Sequence, residues 1–229
     1  MNRNPILDKA FHPSLMDINR RVAFHEAGHA SAIYLSSKQN ELPPVYFQIS
    51  IQLLTNQVPE SETLNIPDHN NIAQVIGGRL IHTLPSSIED AIHGFTSTEK
   101  LAYKRAFETD MINILVGPLA EAKYIAQRDG EIINPILVNF NALHYYGGTS
   151  DMASVKEYLA CFKPQSEDLE QKITELFLAA FRFVNDRSNW RAITNLANYI
   201  LTGDKSVIEC EEVITVLESS YKSTFNRMQ

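Results

Sequence analysis

The clearest pattern along the chain is a helical repeat of apolar positions between residues 14 and 37. Apolar residues and two histidines recur there at spacings of 3, 4, 3, 4 and 4, which places them on one helix stripe that faces a core. Ser14 precedes the repeat and Asp17 follows three residues later, a pair that favours a helix start. The stripe consists of Leu15, Ile18, Val22, His25, His29 and Ile33.

The pattern between residues 38 and 94 is less regular. Residues 45–53, VYFQISIQL, are rich in β-branched and aromatic side chains and predict a strand. Residues 55–94 give a mixed pattern with three prolines, and a short piece at 72–82 resembles a helix. We expect this region to be an excursion from the main fold.

Helical periodicity returns in the second half of the chain. Thr96 and Glu99 stand in the relation of a capping box, and the helix they begin runs to about residue 127. Gly117-Pro118 predicts a kink or a split in that helix. Further helices are predicted at 149–162, with Thr149 or Ser150 as its cap, and at 166–187, 190–201 and 206–220.

These elements predict a mainly α (α+β) fold. A helical bundle with a small β-sheet or hairpin beside the first helix accommodates all of them, and neither a repeat nor a low-complexity linker divides the chain. We therefore expect a single domain over residues 1–229, with an N-terminal arm at 1–13 and a C-terminal helical part at 166–220.

Composition and charge exclude several classes of protein. With 44% hydrophobic residues the chain is globular, and a formal net charge of −7 provides no basic surface for nucleic acid. Cys161 and Cys210 are too few and too far apart for a disulfide framework, which favours a reducing, cytoplasmic setting. No stretch approaches the roughly 18 apolar residues of a membrane span, so we expect none.

The first helix carries the candidate chemistry. His25 and His29 are four residues apart on the inward stripe, one turn from each other, so two imidazole nitrogens can converge on one ion. Glu26, offset by about 100°, would lie beside that ion without binding it. Such an HExxH pattern is typical of zinc hydrolases, although two histidines satisfied within a core are the structural alternative. Gly28, in mid-helix, indicates a close approach by another backbone or a ligand.

A zinc site of this kind needs a third protein ligand. The metzincin continuation HExxHxxGxxH is absent, because Ala32 and Leu35 occupy its glycine and histidine positions. Asp151 is the leading candidate, since it follows the glycine turn YYGGTS at a helix start that favours an anion. It could equally be an ordinary first-turn aspartate that caps helix amides. The rival ligands are His144, Glu121, His93 and Glu89.

Several segments together resemble one known family. RVAFHEAGHA looks like the zinc-binding helix VAYHEAGHA of the peptidase domain of FtsH-type ATP-dependent metalloproteases. Residues 94–125 resemble that family's Gly-Tyr-Thr segment and the helix ending in LGGRxAEE, GGTSDMASV resembles TGAxNDLxxAT, and residues 189–217 are similar to its closing helices. The resemblance implies that His25, His29 and Asp151 bind Zn²⁺ and that Glu26 is the catalytic base.

The chain also departs from the family pattern. No GxxxxGK[ST] phosphate loop is present in these 229 residues, so we expect no ATPase activity of its own. The interval of 122 positions from His29 to Asp151 exceeds the family's interval, and the excess falls at about 54–93. Gly117-Pro118 stands where the family has Gly-Gly-Arg. Glu121 matches the acid that follows the alanine in LGGRxAEE. It would hydrogen-bond to a metal ligand on the side away from the metal, and the alternative is an acid on the helix surface.

The resemblance implies a zinc metallopeptidase that cleaves peptides or unfolded segments. An extended substrate could pair with the strand at 45–51 through Val45, Phe47 and Ile49, if that strand borders the cleft. The family's hexameric rings lead us to expect a homo-oligomer, and an ATPase partner could act in trans. The alternatives are a catalytically reduced binding or regulatory module that docks onto a separate ATPase, and a zinc hydrolase of non-peptide substrates.

Overall fold

The computed structural model describes residues 14–52, 72–162 and 166–225. Within these ranges the chain is mainly helical with one small antiparallel sheet, as predicted. The predicted arm at 1–13 and residues 54–71 of the predicted excursion lie outside the described residues. The elements are α1 (Leu15–Gln39), β1 (Phe47–Ile51), β2 (Ala73–Gly77), α2 (Ile88–Ala91), α3 (Ser97–Arg128), a 3₁₀ helix (Phe140–Tyr146), α4 (Thr149–Ala160), α5 (Ser166–Asn185), α6 (Arg187–Thr202), β3 (Val207–Glu209) and α7 (Cys210–Phe225).

Helices α1 and α3 form the centre of the fold. Gly28 of α1 lies so close to α3 that an added Cβ atom would be 2.8 Å from Ala120 Cβ and 3.0 Å from the Val116 carbonyl oxygen. The small residues thus let the two backbones approach closely. From Val22 to Ser37, α1 is buried almost throughout, because α3, α6 and the sheet pack around it. A helix enclosed in this way can present side chains to a site shielded from water.

The capping residues define where the helices begin. The Ser14 hydroxyl accepts a hydrogen bond from Asp17 N at 3.2 Å, and Thr96 and Glu99 form the predicted capping box. Helix α3 continues through Pro118, so the prediction of a split helix is wrong. Pro118 removes only one backbone donor, and packing on both sides of α3 holds the turn together.

The sheet contains three strands, of which the sequence predicted only the first. Its strand order is β2-β1-β3, with Ile49 of β1 opposite Val75 on one side and Ile208 on the other, and both pairs antiparallel. The predicted helical piece at 72–82 is therefore wrong, since this segment forms β2 and the turn after it. The predicted helix at 206–220 begins only at Cys210, because residues 207–209 pair with β1.

The core has two large apolar clusters that meet at α3. One packs α3 against α4 and α5, and the other packs α1 against the sheet, α6 and α7. Phe24 stacks between Tyr124 and Trp190, with ring centroids 4.5 and 5.5 Å away. Cys161 and Cys210 are buried free thiols. No helix in the described ranges has both the length and the apolar character needed to cross a membrane.

Candidate metal centre

Helix α1 supplies two imidazole rings to one place. His25 and His29 lie one turn apart with ring centroids 4.8 Å from each other, and only 3% of His25 is exposed. The predicted inward orientation of the stripe is thus confirmed for both rings, which meet at the interface of α1, α3 and α4.

Asp151, in the first turn of α4, brings a carboxylate to these rings. Its Oδ2 lies 3.1 Å from His25 Nε2, and its Oδ1 lies 3.3 Å from His29 Nε2. One ligand atom from each residue falls within 4.8 Å of the others, and this is the metal-ligand group found among the described residues. The rivals are elsewhere: Glu121 lies behind His25, and the remaining three are exposed, namely His144, His93 and Glu89.

A glycine brings α4 to this position. At Gly148 an added Cβ atom would lie 2.8 Å from Pro118 Cβ, so the start of α4 rests directly on α3. Gly148 is also the N-cap, with no side-chain capping bond, and the predicted caps Thr149 and Ser150 are wrong. Asp151 forms no capping hydrogen bond at this helix end, and its carboxylate lies against the histidines. The alternative hypothesis that Asp151 only caps helix amides is therefore also wrong.

The second nitrogen of each ring is engaged on the protein side. His25 Nδ1 lies 3.2 Å from Glu121 Oε2, and Arg21 donates to Glu121 Oε1 at 2.8 Å. His29 Nδ1 lies 3.0 Å from the carbonyl oxygen of Asn113. A carbonyl or carboxylate accepts from an N–H, so each Nδ1 can donate to its acceptor while the Nε2 atom of the same ring faces Asp151.

Gly117 makes room for His29. An added Cβ atom at Gly117 would lie 2.2 Å from His29 Nε2, so any side chain there would collide with the ring. Together with Gly28, this glycine explains why the middle of the α1–α3 interface is built of small residues. The sequence pattern at Gly117-Pro118 is thus a requirement of the site and not a helix break.

Glu26 lies beside the three converging groups without joining them. Its Oε2 accepts a hydrogen bond from the backbone N–H of Val75 in β2 at 2.7 Å, and only 3% of the residue is exposed. Burial raises the pKa of Glu26 above its ordinary value, which the nearby His25 and His29 only partly offset. A carboxyl group with a raised pKa is suited to accept and release a proton near neutral pH.

The ionisation of the other three groups is coupled. Burial lowers the pKa of each histidine, but Asp151 outweighs it, so the pKa values of His25 and His29 lie above 6.5. Burial raises the pKa of Asp151, while the charge of His29 and hydrogen bonds from both rings lower it to well below its usual range. In the metal-free protein the three groups therefore favour a charged, hydrogen-bonded arrangement.

These groups open into a cleft of about 160 Å³ bordered by β2, α3 and α4. The prediction that Val45, Phe47 and Ile49 bind the substrate is wrong. Strand β1 is central, with both edges paired, Phe47 and Ile49 are buried, and Val45 lies outside the strand. The edge at the cleft belongs to β2 instead.

The sequence pattern did not indicate three residues that line this cleft, namely Val75, Arg79 and Asn113. Val75 donates to Glu26 through its backbone, which no side-chain pattern reveals. Arg79 and Asn113 also line the cleft. A GG turn directly before Arg79 is the one pattern that could have indicated a special position for it.

The donor set fits a divalent metal. Two neutral imidazole nitrogens and one carboxylate oxygen are a known ligand set for zinc, and the acceptors at both Nδ1 atoms orient the rings as metal-binding histidines require. Comparison of the chain with protein-family models, with curated proteins and with solved structures finds no match. The site's geometry is therefore the basis for any functional conclusion.

Proposed function

We propose that this chain is a zinc-dependent metallopeptidase that hydrolyses peptide bonds in peptides or unfolded segments. The observation that carries the proposal is the convergence of His25, His29 and Asp151 next to the buried carboxylate of Glu26, at the edge of a β-strand. The likeness of three ordered segments to FtsH-type peptidase domains supports the same conclusion.

His25, His29 and Asp151 would hold the metal. Zinc bound there would supply a Lewis acid that polarises the scissile carbonyl and lowers the pKa of water. Glu121 and the Asn113 carbonyl keep the two rings in the orientation that this requires.

Glu26 would transfer the proton of the reaction. It removes a proton from the water whose oxygen attacks the carbonyl carbon, and it delivers that proton to the amine nitrogen as the C–N bond breaks. Its raised pKa favours the first half of this transfer, in which Glu26 accepts the proton.

Strand β2 would hold the substrate in an extended form. Gly78 donates to the carbonyl of Tyr46 in the segment before β1, and Gln52 donates to that of Ile72, so alternate residues of β2 face β1. The backbone groups of Ala73, Val75 and Gly77 consequently face away from β1. Glu26 occupies the Val75 N–H, so a peptide would pair with the backbone groups of Ala73 and Gly77 and with the Val75 carbonyl. A peptide can pair with this edge only when it is unfolded, which favours flexible substrates.

The experiment compares two variants with the wild type on casein and an internally quenched peptide. Glu26→Gln is expected to lose hydrolysis and to keep zinc, because it removes the base but no ligand. Asp151→Ala is expected to lose both, as measured by elemental analysis. Hydrolysis that survives Glu26→Gln or persists in excess chelator would contradict the proposal, and zinc binding without hydrolysis of any peptide would favour a binding module.

A further inference from the structure

We propose that Arg79 and Asn113 form an anion-binding subsite in the cleft, which recognises a carboxylate of the substrate close to the bond that is cleaved. The inference rests on the proposed peptidase function and adds to it a class of substrate. The hydrolytic chemistry itself does not use the side chains of Arg79 and Asn113.

Arg79 is a cation that forms no ion pair with a carboxylate of the described residues. Among the described residues that line the cleft, it is the only lysine or arginine, and its side chain is exposed. Its guanidinium carbon lies 5.8 Å from the centre of the Tyr158 ring, and no carboxylate of the described chain forms an ion pair with it. All five of its N–H donors are therefore available to an incoming anion.

The backbone around Arg79 is fixed. Gly77 and Gly78 turn the chain at φ values of 89° and 79°, which bends the end of β2 back towards α3. Immediately after Arg79, the N–H groups of Leu80 and Ile81 donate to the two carboxylate oxygens of Asp110 at 2.9 and 2.8 Å.

Asp110 is the acid that could neutralise Arg79, but it is already engaged. Besides the two backbone donors, the Tyr158 hydroxyl donates to its Oδ2 at 3.0 Å, and Asp110 is only 2% exposed. Its role is thus to anchor the turn that carries Arg79. Asp110 lines the same cleft as Arg79 and interacts with it through charge alone, because no ion pair joins the two side chains among the described residues.

Asn113 is the second group of the subsite. It lines the same cleft and is 4% exposed, yet neither its side-chain nitrogen nor its side-chain oxygen has a hydrogen-bond partner within the described chain. It lies one turn before Gly117, on the face of α3 that touches His29. A buried amide without partners is destabilising, and a substrate group would satisfy it.

The chemistry of the two groups selects a carboxylate. Guanidinium and amide N–H groups are donors, and a carboxylate can accept from both. The Asn113 side-chain oxygen, itself an acceptor, would then take its hydrogen bond from a backbone N–H of the same peptide. The net charge of −7 offers no general attraction for acidic peptides, so preference for them has to arise locally. The carboxylate could be a glutamate or aspartate side chain or the terminal carboxylate of the peptide.

The experiment measures the preference of the protein for peptides with a carboxylate near the cleaved bond. Quenched peptides that differ by Glu or Gln at each position beside the cleaved bond are compared with free and amidated C-termini, using the zinc-loaded protein. The ratio of kcat/KM for the Glu peptide over the Gln peptide is expected to exceed 1 and to fall by about 10- to 100-fold in Arg79→Gln. Arg105→Gln, an exposed arginine of α3 outside the cleft, is the matched control and should retain the ratio. A preference tied to the free C-terminus would identify the terminal carboxylate as the ligand.

Asn113→Leu separates a binding role from a structural one. If the amide serves the substrate, this substitution of similar size keeps or raises Tm, since it removes an unsatisfied buried group, and it lowers the Glu/Gln ratio. A lowered Tm with an unchanged ratio would show that Asn113 is structural and would overturn its part in the proposal.

A binding assay keeps the inference separate from the proposed function. Fluorescence anisotropy with labelled Glu and Gln peptides is measured on Glu26→Gln and on the double variant Glu26→Gln/Arg79→Gln. Selective binding of the Glu peptide that requires Arg79 would support the subsite even if the wild type hydrolyses nothing. Equal binding of both peptides, or equal loss of both in the double variant, would refute it.

Discussion

Each histidine of the candidate centre uses its two ring nitrogens for different purposes. The Nδ1 atoms contact Glu121 and the Asn113 carbonyl, and the Nε2 atoms face Asp151. Of these contacts, the one to Glu121 is open to substitution, because it comes from a side chain. Glu121 is fully buried and is shared with Arg21, so it holds His25 rigidly.

We expect Glu121→Gln to weaken zinc binding by about 10- to 100-fold, because the neutral amide orients His25 less firmly and makes it a poorer ligand. Competition with a chromophoric chelator measures this change. Glu157→Gln, an exposed glutamate of α4, is the control and should bind zinc as the wild type does. Wild-type affinity in Glu121→Gln would show that Glu121 does not position the ligand.

Zinc affinity should also depend on pH in a defined direction. Protons and zinc compete for the same Nε2 atoms, and the pKa values of His25 and His29 lie above 6.5, since Asp151 stabilises the imidazolium forms despite burial. Below these pKa values the proton is favoured. The zinc Kd is therefore expected to rise as pH falls, beginning at a higher pH than for a site built of ordinary histidines. Chelator competition at several pH values tests this, and a constant Kd down to about pH 6.5 would contradict it.

At the scale of elements, the contact between α1 and α3 decides the geometry of the site. The added Cβ atom at Gly28 would meet only backbone atoms and the Cβ of Ala120, at 2.8 to 3.1 Å, so no flexible side chain can move aside. The helices would have to separate, and His29 would move away from Asp151. The close approach is thus a condition for the metal centre as well as for stability.

Gly28→Ala tests this contact. Alanine favours a helix over glycine by about 1 kcal/mol, but overpacking costs about 1–3 kcal/mol, so we expect the free energy of unfolding to fall by up to about 2 kcal/mol. Denaturant titration measures it. Gly94→Ala is the matched control, since an added Cβ atom there meets nothing within 4 Å, and it should change stability by no more than about 0.5 kcal/mol. A more stable Gly28→Ala protein would show that the helices can separate freely.

The elements also show which parts of the molecule a sequence can predict. The long helices and the positions of His25 and His29 follow from a local periodicity, and the capping box at Thr96 depends on neighbours three residues apart. Strand β2 has only five residues and is defined by its pairing with β1, so its own pattern resembled a helix. Short strands depend on partners that are distant in sequence.

The residues of the candidate site also differ in how far the sequence predicts them. Asp151 could be selected as a candidate from its glycine turn, but its approach to the histidines depends on how α4 packs on Pro118 through Gly148. The roles proposed for Arg79 and Asn113 depend on the lack of an ion pair and of side-chain hydrogen bonds, respectively, among the described residues, a property of packing that has no local pattern. Ligands that share a helix are therefore predictable, whereas the walls of the cleft are not.

On the scale of the whole molecule, the sheet joins distant parts of the chain. Strand β3, immediately before the last helix, pairs with β1, which in turn pairs with β2 at the cleft. The C-terminal helices are thus connected through one sheet to the strand that borders the candidate metal centre. The hexameric assembly implied by the family resemblance stays a prediction, and light scattering measures it.

The hydrogen bond from Val75 to Glu26 has a consequence for solubility. Exposed strand edges are sites at which protein chains aggregate, and here a buried carboxylate occupies one of the outward N–H groups of β2. Glu26→Ala would leave that N–H open to the strand of another molecule, whereas the amide oxygen of Glu26→Gln can still accept from it. We expect Glu26→Ala to precipitate or form larger particles as its concentration rises, while Glu26→Gln keeps the size distribution of the wild type in dynamic light scattering. Identical behaviour of the two variants would show that this edge is protected by other means. A difference between them would show that Glu26, the residue proposed for proton transfer, also prevents aggregation through the edge of β2.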